Sequence, residues 1–406
     1  MKKAICSVTV FVVLLFSVSA QDRMSPGIAQ VSSEHYQVLA DNGIDAALLS
    51  KELESRFALY NRIFHFSSQT VVFPLKVRAY KDKKAYDDYV SLRLNGTRAG
   101  AVYLHYNQAE LRELVVHQGS ADEERMFPHQ AFIQYLRAFI PYPPAWLREG
   151  FAIYFNTLKF EAGTNTTNSA DLPARALAGG RLAYEENLAW LELVKGLGSK
   201  APSLEAILRA DIDGIPNPTQ YFPSLAWSLV SFFMNAEKDY YYTRILFESF
   251  MVLSSSSSAV ANSEAMLNHI LSWTDVDTLT QDYKTYIDSR KTFAELLTEG
   301  QQAYKNKDSS RAEAAFLNAH RQKPTHYAPY YYLGLLAYEA KDFEQAEQYY
   351  RSALQYGGGE GLVSYARGLN AIAAGRSAEA KAFLEQAAAD PEYKERAQAL
   401  IIRLLP

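Results

Sequence analysis

The hydrophobic pattern of the chain changes between its N-terminal and C-terminal parts. Residues 50–64 carry apolar side chains at helical spacing, whereas residues 71–80 and 100–106 are β-branched or aromatic runs typical of strands. From about residue 124 the pattern is helical, and residues 222–235 are apolar on nearly every side, which predicts a buried helix. The chain is therefore predicted to be an α+β protein that is mostly helical, with a small α/β unit near its N-terminus.

A repeat of 34 residues is the clearest periodic signal in the chain. Glycine, alanine and bulky residues recur at this spacing in four columns. The columns are Gly300, Gly334 and Gly368; Ala312, Ala346 and Ala380; Phe316, Tyr350 and Leu384; and Ala319, Ala353 and Ala387. Small residues let two helices cross closely, and the bulky residue fills the space between hairpins. The repeat therefore predicts three stacked helical hairpins.

These columns resemble the tetratricopeptide repeat at its defining positions. The resemblance implies a C-terminal α-solenoid of three hairpins, which a terminal helix would cap with its apolar face. It also implies that the first helix of each hairpin lines a groove for a protein or peptide. The expected groove positions are Tyr304, Lys305, Tyr331, Tyr338 and Tyr365, and tyrosine is a side chain suited to peptide contact. Packing of these tyrosines against the preceding domain is the alternative.

The stretch HQAFIQYLRAFIPYPPAWLREGFAIYF, residues 129–155, carries the candidate chemistry. A zinc motif of the His-Glu-x-x-His type places two imidazoles on one helix face, with the Glu as general base. Here His129 is expected to open the helix at the first imidazole position, but Gln130 replaces the base and Ile133 the second imidazole. Glu149, on the next predicted helix, stands where a third ligand is expected.

The second half of this stretch resembles the gluzincin, or peptidase MA-like, families. Their Trp-Leu-x-Glu-Gly-x-Ala-x-Tyr run stands intact here over residues 146–154. The resemblance implies a helical gluzincin-like domain, strongly at this run and weakly elsewhere. Because the general base and the second imidazole are missing, we expect no peptidase activity and predict no cofactor.

Two arrangements of the remaining motif residues stay open. An active zinc metallopeptidase with an atypical site would need His117 to join His129 and Glu149 as a metal ligand. Even then, Gln130 would be unable to take a proton from a metal-bound water. Without a metal, a buried Glu149 needs a partner, and His129 is the one we expect.

Composition and charge limit the cellular compartments and the partners that are expected for the protein. The formal net charge of the 406 residues is −4 and no dense Lys/Arg patch occurs, so nucleic-acid binding is not expected. Lys2 and Lys3, an apolar run and a small-residue end predict a signal peptide cleaved after Ala20, with an uncleaved anchor as the alternative. The single cysteine, Cys6, lies within this segment, and no later apolar run predicts a stable membrane span.

The sequence thus predicts five segments in an exported, periplasmic or secreted protein. They are a signal peptide (1–20), a linker (21–34), a gluzincin-like domain that we expect to be inactive (35–290), three tetratricopeptide repeats (293–392) and a capping helix (393–406). We interpret the protein as an adaptor that works through protein–protein contact. An active zinc metallopeptidase and a structural component of the cell envelope are the alternatives.

Overall fold

The structure is a computed structural model that describes residues 28–67, 69, 74–156, 158–160, 182–184, 186–209, 218–236 and 240–404. The predicted signal peptide lies outside these residues. The described part of the chain is mostly helical, with a small mixed sheet near the N-terminus. It divides into two compact units, the first up to Phe139 and the second from Ile140 onward. This division falls inside the segment 35–290 that the sequence predicts as one domain.

The first unit is built around a five-stranded sheet with the spatial order β1-β2-β3-β5-β4. Its strands are β1 (Ala29–Ser32), β2 (Tyr36–Ala40), β3 (Leu75–Tyr80), β4 (Ala101–Leu104) and β5 (Glu113–His117). The strands β2, β3 and β5 are parallel, whereas the two edge strands are antiparallel to their neighbours. The interior strand β5 is buried over its first four residues, so both faces of the sheet are covered there.

The predicted linker 21–34 is wrong in part, because Ala29–Ser32 form the strand β1. This strand pairs with β2 in antiparallel register, from Ala29 opposite Ala40 to Ser32 opposite Gln37. Most of its residues are exposed. The polar composition of this segment is compatible with a linker and equally with an edge strand that faces solvent.

Among the described residues of the first unit, three α-helices accompany the sheet: α1 (Ala46–Phe64), α2 (Lys83–Ser91) and α3 (Glu123–Phe139). The helix predicted over 50–64 is confirmed as part of α1, whose first turn is capped by the Asp45 carboxylate. His129 does not open a helix, because α3 begins six residues earlier and contains Pro128. Proline removes one helical hydrogen bond, and α3 continues through it.

The second unit begins with helices around a buried central helix, α7. These elements are α4 (Ala145–Asn156), the antiparallel pair β6 (Leu158–Phe160) and β7 (Leu182–Tyr184), α5 (Leu188–Gly196), α6 (Leu204–Arg209), α7 (Pro218–Asn235), α8 (Tyr241–Glu248), α9 (Ala259–Trp273) and α10 (Val276–Ser289). The prediction of a buried helix over 222–235 is confirmed, since Leu229, Val230 and Phe233 of α7 are completely buried.

Seven further helices follow in the described part of the second unit, and each one packs against the next along the chain. They are α11 (Phe293–Lys305), α12 (Ser309–Gln322), α13 (Tyr327–Glu339), α14 (Phe343–Gln355), α15 (Glu360–Ala373), α16 (Ser377–Ala387) and α17 (Lys394–Arg403). The last of these lies within the predicted capping helix 393–406. It buries Ala397 in a cluster with Leu384 and Ala387.

The repeated glycines lie where the paired helices approach most closely. An ideal Cβ on Gly300 would lie 2.5 Å from the ring of Phe316, and one on Gly334 would lie 2.5 Å from Tyr350. The corresponding distance from Gly368 to Leu384 is 2.7 Å. Each helix pair therefore uses a glycine to admit the bulky residue that stands sixteen positions later in the sequence.

Candidate functional site

Gln130, at the expected general-base position, is bonded to the sheet. Its side-chain carbonyl accepts a hydrogen bond of 2.9 Å from the backbone N–H of Tyr103 in the edge strand β4. The helix α3 packs along this strand, which brings the two residues together. Edge strands carry backbone donors without a neighbouring strand, so the Gln130 amide satisfies a donor that would otherwise need water.

The same amide also orients His129. The Gln130 side-chain nitrogen lies 3.1 Å from His129 Nδ1. Because the Tyr103 N–H identifies the oxygen of the amide, the nitrogen is the donor and Nδ1 is the acceptor. A neutral His129 ring therefore carries its proton on Nε2. The Nδ1 atom of His129 already accepts a hydrogen bond from the Gln130 amide.

Ile133, at the expected second-imidazole position, belongs to the hydrophobic core of the first unit. Its side chain is 8% exposed, and its neighbours Phe132 and Leu136 on α3 are completely buried. A hydrocarbon side chain offers no lone pair to a metal. At this position the helix contributes packing to the unit.

The Trp-Leu-x-Glu-Gly run forms the contact between α4 and α7 in the second unit. Trp146 and Leu147 are completely buried. An ideal Cβ on Gly150 would lie 2.3 Å from the Ala226 carbonyl oxygen and 2.6 Å from Val230. The run is therefore used for close helix packing, which needs no metal.

Glu149 is half-buried beside an arginine of the same helix. Burial lowers the pKa of Arg148, and the Glu149 carboxylate opposes this shift. Glu149 belongs to the second unit, whereas His129, Gln130 and Ile133 belong to the first. The expected His129–Glu149 hydrogen bond therefore stays a prediction.

His117 is the last residue of the strand β5. Its ring stacks on Tyr86, with the ring centroids 5.6 Å apart. Burial raises the pKa of the nearby Glu123 carboxyl, while the Gly119 N–H and the charge of His117 act in the opposite direction. Within the described ranges of the chain, no three His, Cys, Asp or Glu side chains are grouped so that they could hold a metal ion.

The predicted groove residues on the first helical hairpin differ in environment. The hydroxyl of Tyr304 donates a 2.7 Å hydrogen bond to Glu339 Oε1, which links α11 to α13. Burial and this carboxylate raise the pKa of Tyr304 well above its usual value. The Lys307 ammonium lies 3.3 Å from the same oxygen, whereas Lys305 is exposed. Glu339 was not predicted as a partner of Tyr304. Its position could have indicated the contact, because Glu339 directly follows Tyr338, the residue equivalent to Tyr304 in the next repeat.

The other predicted groove tyrosines are half-buried along later helices. Tyr331 and Tyr338 pack against the cluster around Tyr350, and burial raises the pKa of Tyr331 to about 12. The ring centroids of Tyr365 and Tyr393 are 5.5 Å apart. These contacts lie within residues 293–404, and each ring keeps part of its surface exposed.

Over the residues that the structure covers, no helix is both long and apolar enough to cross a bilayer.

No family model matches the chain, and no curated protein matches it. The resemblance to gluzincins and to tetratricopeptide repeats rests on the motif residues named above. Function must therefore be inferred from the geometry around Gln130 and along the tyrosine positions of the helical hairpins.

Proposed function

We propose that the protein is an exported adaptor that acts through protein–protein contact. In this proposal a catalytically degenerate gluzincin-like domain is joined to a module of three tetratricopeptide repeats. The observation that carries the proposal is the hydrogen bond between Gln130 and the Tyr103 N–H. Through this bond, the side chain at the expected general-base position has a structural role.

The chemistry of the motif supports a non-catalytic domain. A metallopeptidase of this type uses a carboxylate to take a proton from metal-bound water, and general-base catalysis contributes roughly 10²–10⁴-fold to the rate. Gln130 is a neutral amide whose oxygen already accepts the Tyr103 N–H. Ile133 is buried and cannot bind a metal.

The tyrosine positions support a protein or peptide partner for the repeats. Tyr304, Tyr331, Tyr338 and Tyr365 are half-buried, so each ring is held in place while part of it stays exposed. Aromatic side chains that are already ordered lose little conformational entropy on binding, and tyrosine is enriched among residues that dominate interfaces. We therefore assign the tyrosine surface, defined by these four residues and Lys305, as the partner-binding surface.

Partner recovery tests this assignment. The full chain, cross-linked in its native compartment, is compared with a Tyr331→Ala/Tyr338→Ala variant. We expect one set of partners to be lost, because both rings belong to the tyrosine surface. Tyr240→Ala is the matched control, since Tyr240 is 82% exposed and lies outside the repeats.

The folded state of the double variant is checked by circular dichroism and thermal unfolding, since both tyrosines also pack against Tyr350. Unchanged recovery by a folded double variant would contradict the assignment. So would an equal loss with the Tyr240→Ala control.

A further inference from the structure

A cavity of about 590 Å³ in the second unit is separate from the tyrosine surface. It lies between α5, α6, α7 and α10 and reaches the start of α11. The aliphatic part of its lining includes Leu204, Ile207, Leu225 and Ile287. Small-molecule sites commonly enclose about 300–1,000 Å³ and combine an apolar lining with a few placed polar groups.

Four of the described residues that line this cavity are charged, and two of them are already paired. Lys195 Nζ donates to both carboxylate oxygens of Glu295 at 2.9 Å and also to the Arg290 carbonyl. An ammonium has three donors, so Lys195 has none left for a ligand. Glu295 also accepts the backbone N–H of Thr292 at 2.8 Å, which completes the cap of α11. This pair holds the wall of the cavity in place.

The other two charged side chains are available. Lys284 and Asp288 line the same cavity and stand one turn apart on one face of α10. Both are exposed, and neither forms an ion pair with a residue that the structure describes. A lysine that precedes the acid by four residues is the less favourable order for an ion pair within a helix. The cavity therefore presents the Lys284 ammonium and the Asp288 carboxylate next to an aliphatic part of its lining.

We propose that this cavity binds a zwitterionic ligand with an aliphatic side chain, namely an α-amino acid or a short peptide. The ligand carboxylate pairs with Lys284, its ammonium pairs with Asp288, and its side chain lies on Ile207 and Ile287. A ligand with a single charge would satisfy one of the two groups, and an uncharged ligand would satisfy neither. The site does not depend on the adaptor proposal, because it shares no residue with the tyrosine surface.

Isothermal titration of the full chain with the dipeptide Leu-Leu tests the proposal. We expect saturable binding with one site per chain, and no binding of Gly-Gly, which has no aliphatic side chain. Lys284→Gln and Asp288→Asn should each weaken Leu-Leu binding about tenfold, the effect of losing one charged hydrogen bond. Lys291→Gln is the control, because Lys291 does not line this cavity, and it should leave binding unchanged.

The N-acetylated dipeptide separates the two charges. It lacks the ammonium, so Asp288→Asn should not weaken its binding, whereas Lys284→Gln should. Absence of saturable heat with Leu-Leu at millimolar concentration would overturn the proposal. Equal effects of Lys284→Gln and Lys291→Gln would overturn it as well.

Discussion

The side-chain carbonyl of Gln130 lies 2.9 Å from the backbone nitrogen of Tyr103 and accepts its hydrogen bond. The bond joins the helix α3 to an edge strand of the sheet. The resemblance to gluzincins implies a catalytic carboxylate at this position, and the protein has an amide that caps a backbone donor instead. The side chain therefore contributes to stability, and its contribution can be measured.

Replacement of Gln130 by alanine should destabilise the first unit by about 1–2 kcal/mol, because the Tyr103 N–H loses its acceptor. Urea unfolding followed by circular dichroism gives this free energy. Gln130→Glu keeps an acceptor and should retain most of the stability. Gln30→Ala, on the exposed edge strand β1, is the control and should have little effect. Equal stability of Gln130→Ala and Gln30→Ala would contradict a structural role for the Gln130 amide.

Replacement of Gly150 by alanine should destabilise the second unit by about 1–3 kcal/mol, through overpacking. The new methyl group would lie 2.3 Å from the Ala226 carbonyl oxygen, so α4 and α7 would have to separate. Gly196→Ala is a matched control, because a Cβ there meets no atom within 4 Å. Thermal unfolding of the two variants should differ. Similar melting temperatures would mean that the contact at Gly150 does not hold the helices together.

The repeated glycines lead to a similar prediction for the helical hairpins. Gly334→Ala should lower the unfolding free energy by about 1–3 kcal/mol, because its methyl group would lie 2.5 Å from the Tyr350 ring. At Gly359, by contrast, the nearest atom to a new Cβ is 3.9 Å away. Gly359→Ala should therefore be tolerated. If both substitutions have the same effect on unfolding, the close helix crossing is not what requires glycine.

A buried ion pair among these helices predicts a pH dependence of stability. Glu347 accepts from Arg367 at 2.6 Å and from Arg351 at 2.9 Å. Burial raises the pKa of Glu347, but the two arginines outweigh it and the net shift is downward. A carboxyl whose pKa is lower in the folded state stabilises the fold above its unfolded pKa of about 4.3. The contribution disappears as the pH falls through the folded value.

The destabilisation caused by Glu347→Gln should therefore be full at pH 7 and should shrink as the pH falls below about 4. Urea unfolding at a series of pH values measures it. Glu313→Gln, an exposed change on α12, should have little effect at any pH. A Glu347→Gln penalty that stays constant or grows on acidification would contradict the direction of the pKa shift.

The local pattern was sufficient for the elements whose contacts recur at a fixed spacing. The repeated small residues predict that two helices of one hairpin cross closely, and Gly300 lies against the ring of Phe316 on the next helix. The apolar run at 222–235 indicated the burial of α7, since a helix without a polar face cannot lie on a surface. In both cases the relevant contacts are encoded within a few turns of the chain.

Other features depend on contacts between distant segments, which the local pattern does not contain. The strand β1 is polar, and only its pairing with β2 distinguishes it from a linker. The start of α3 at Glu123 is not predicted from the sequence, because a proline such as Pro128 is typical of the first turn of a helix. The bond between Gln130 and Tyr103 joins residues 27 positions apart and follows from the packing of α3 on β4.

We propose that the motif around Gln130 does not support zinc-dependent catalysis, and the metal content of the purified protein tests this claim. The full chain is purified and dialysed against buffer that contains micromolar zinc, and bound metal is then counted by mass spectrometry. We expect well below one zinc per chain, and the same value for His129→Ala and for the control His269→Ala. One zinc per chain, lost in His129→Ala and in Glu149→Ala but kept in His269→Ala, would contradict the claim.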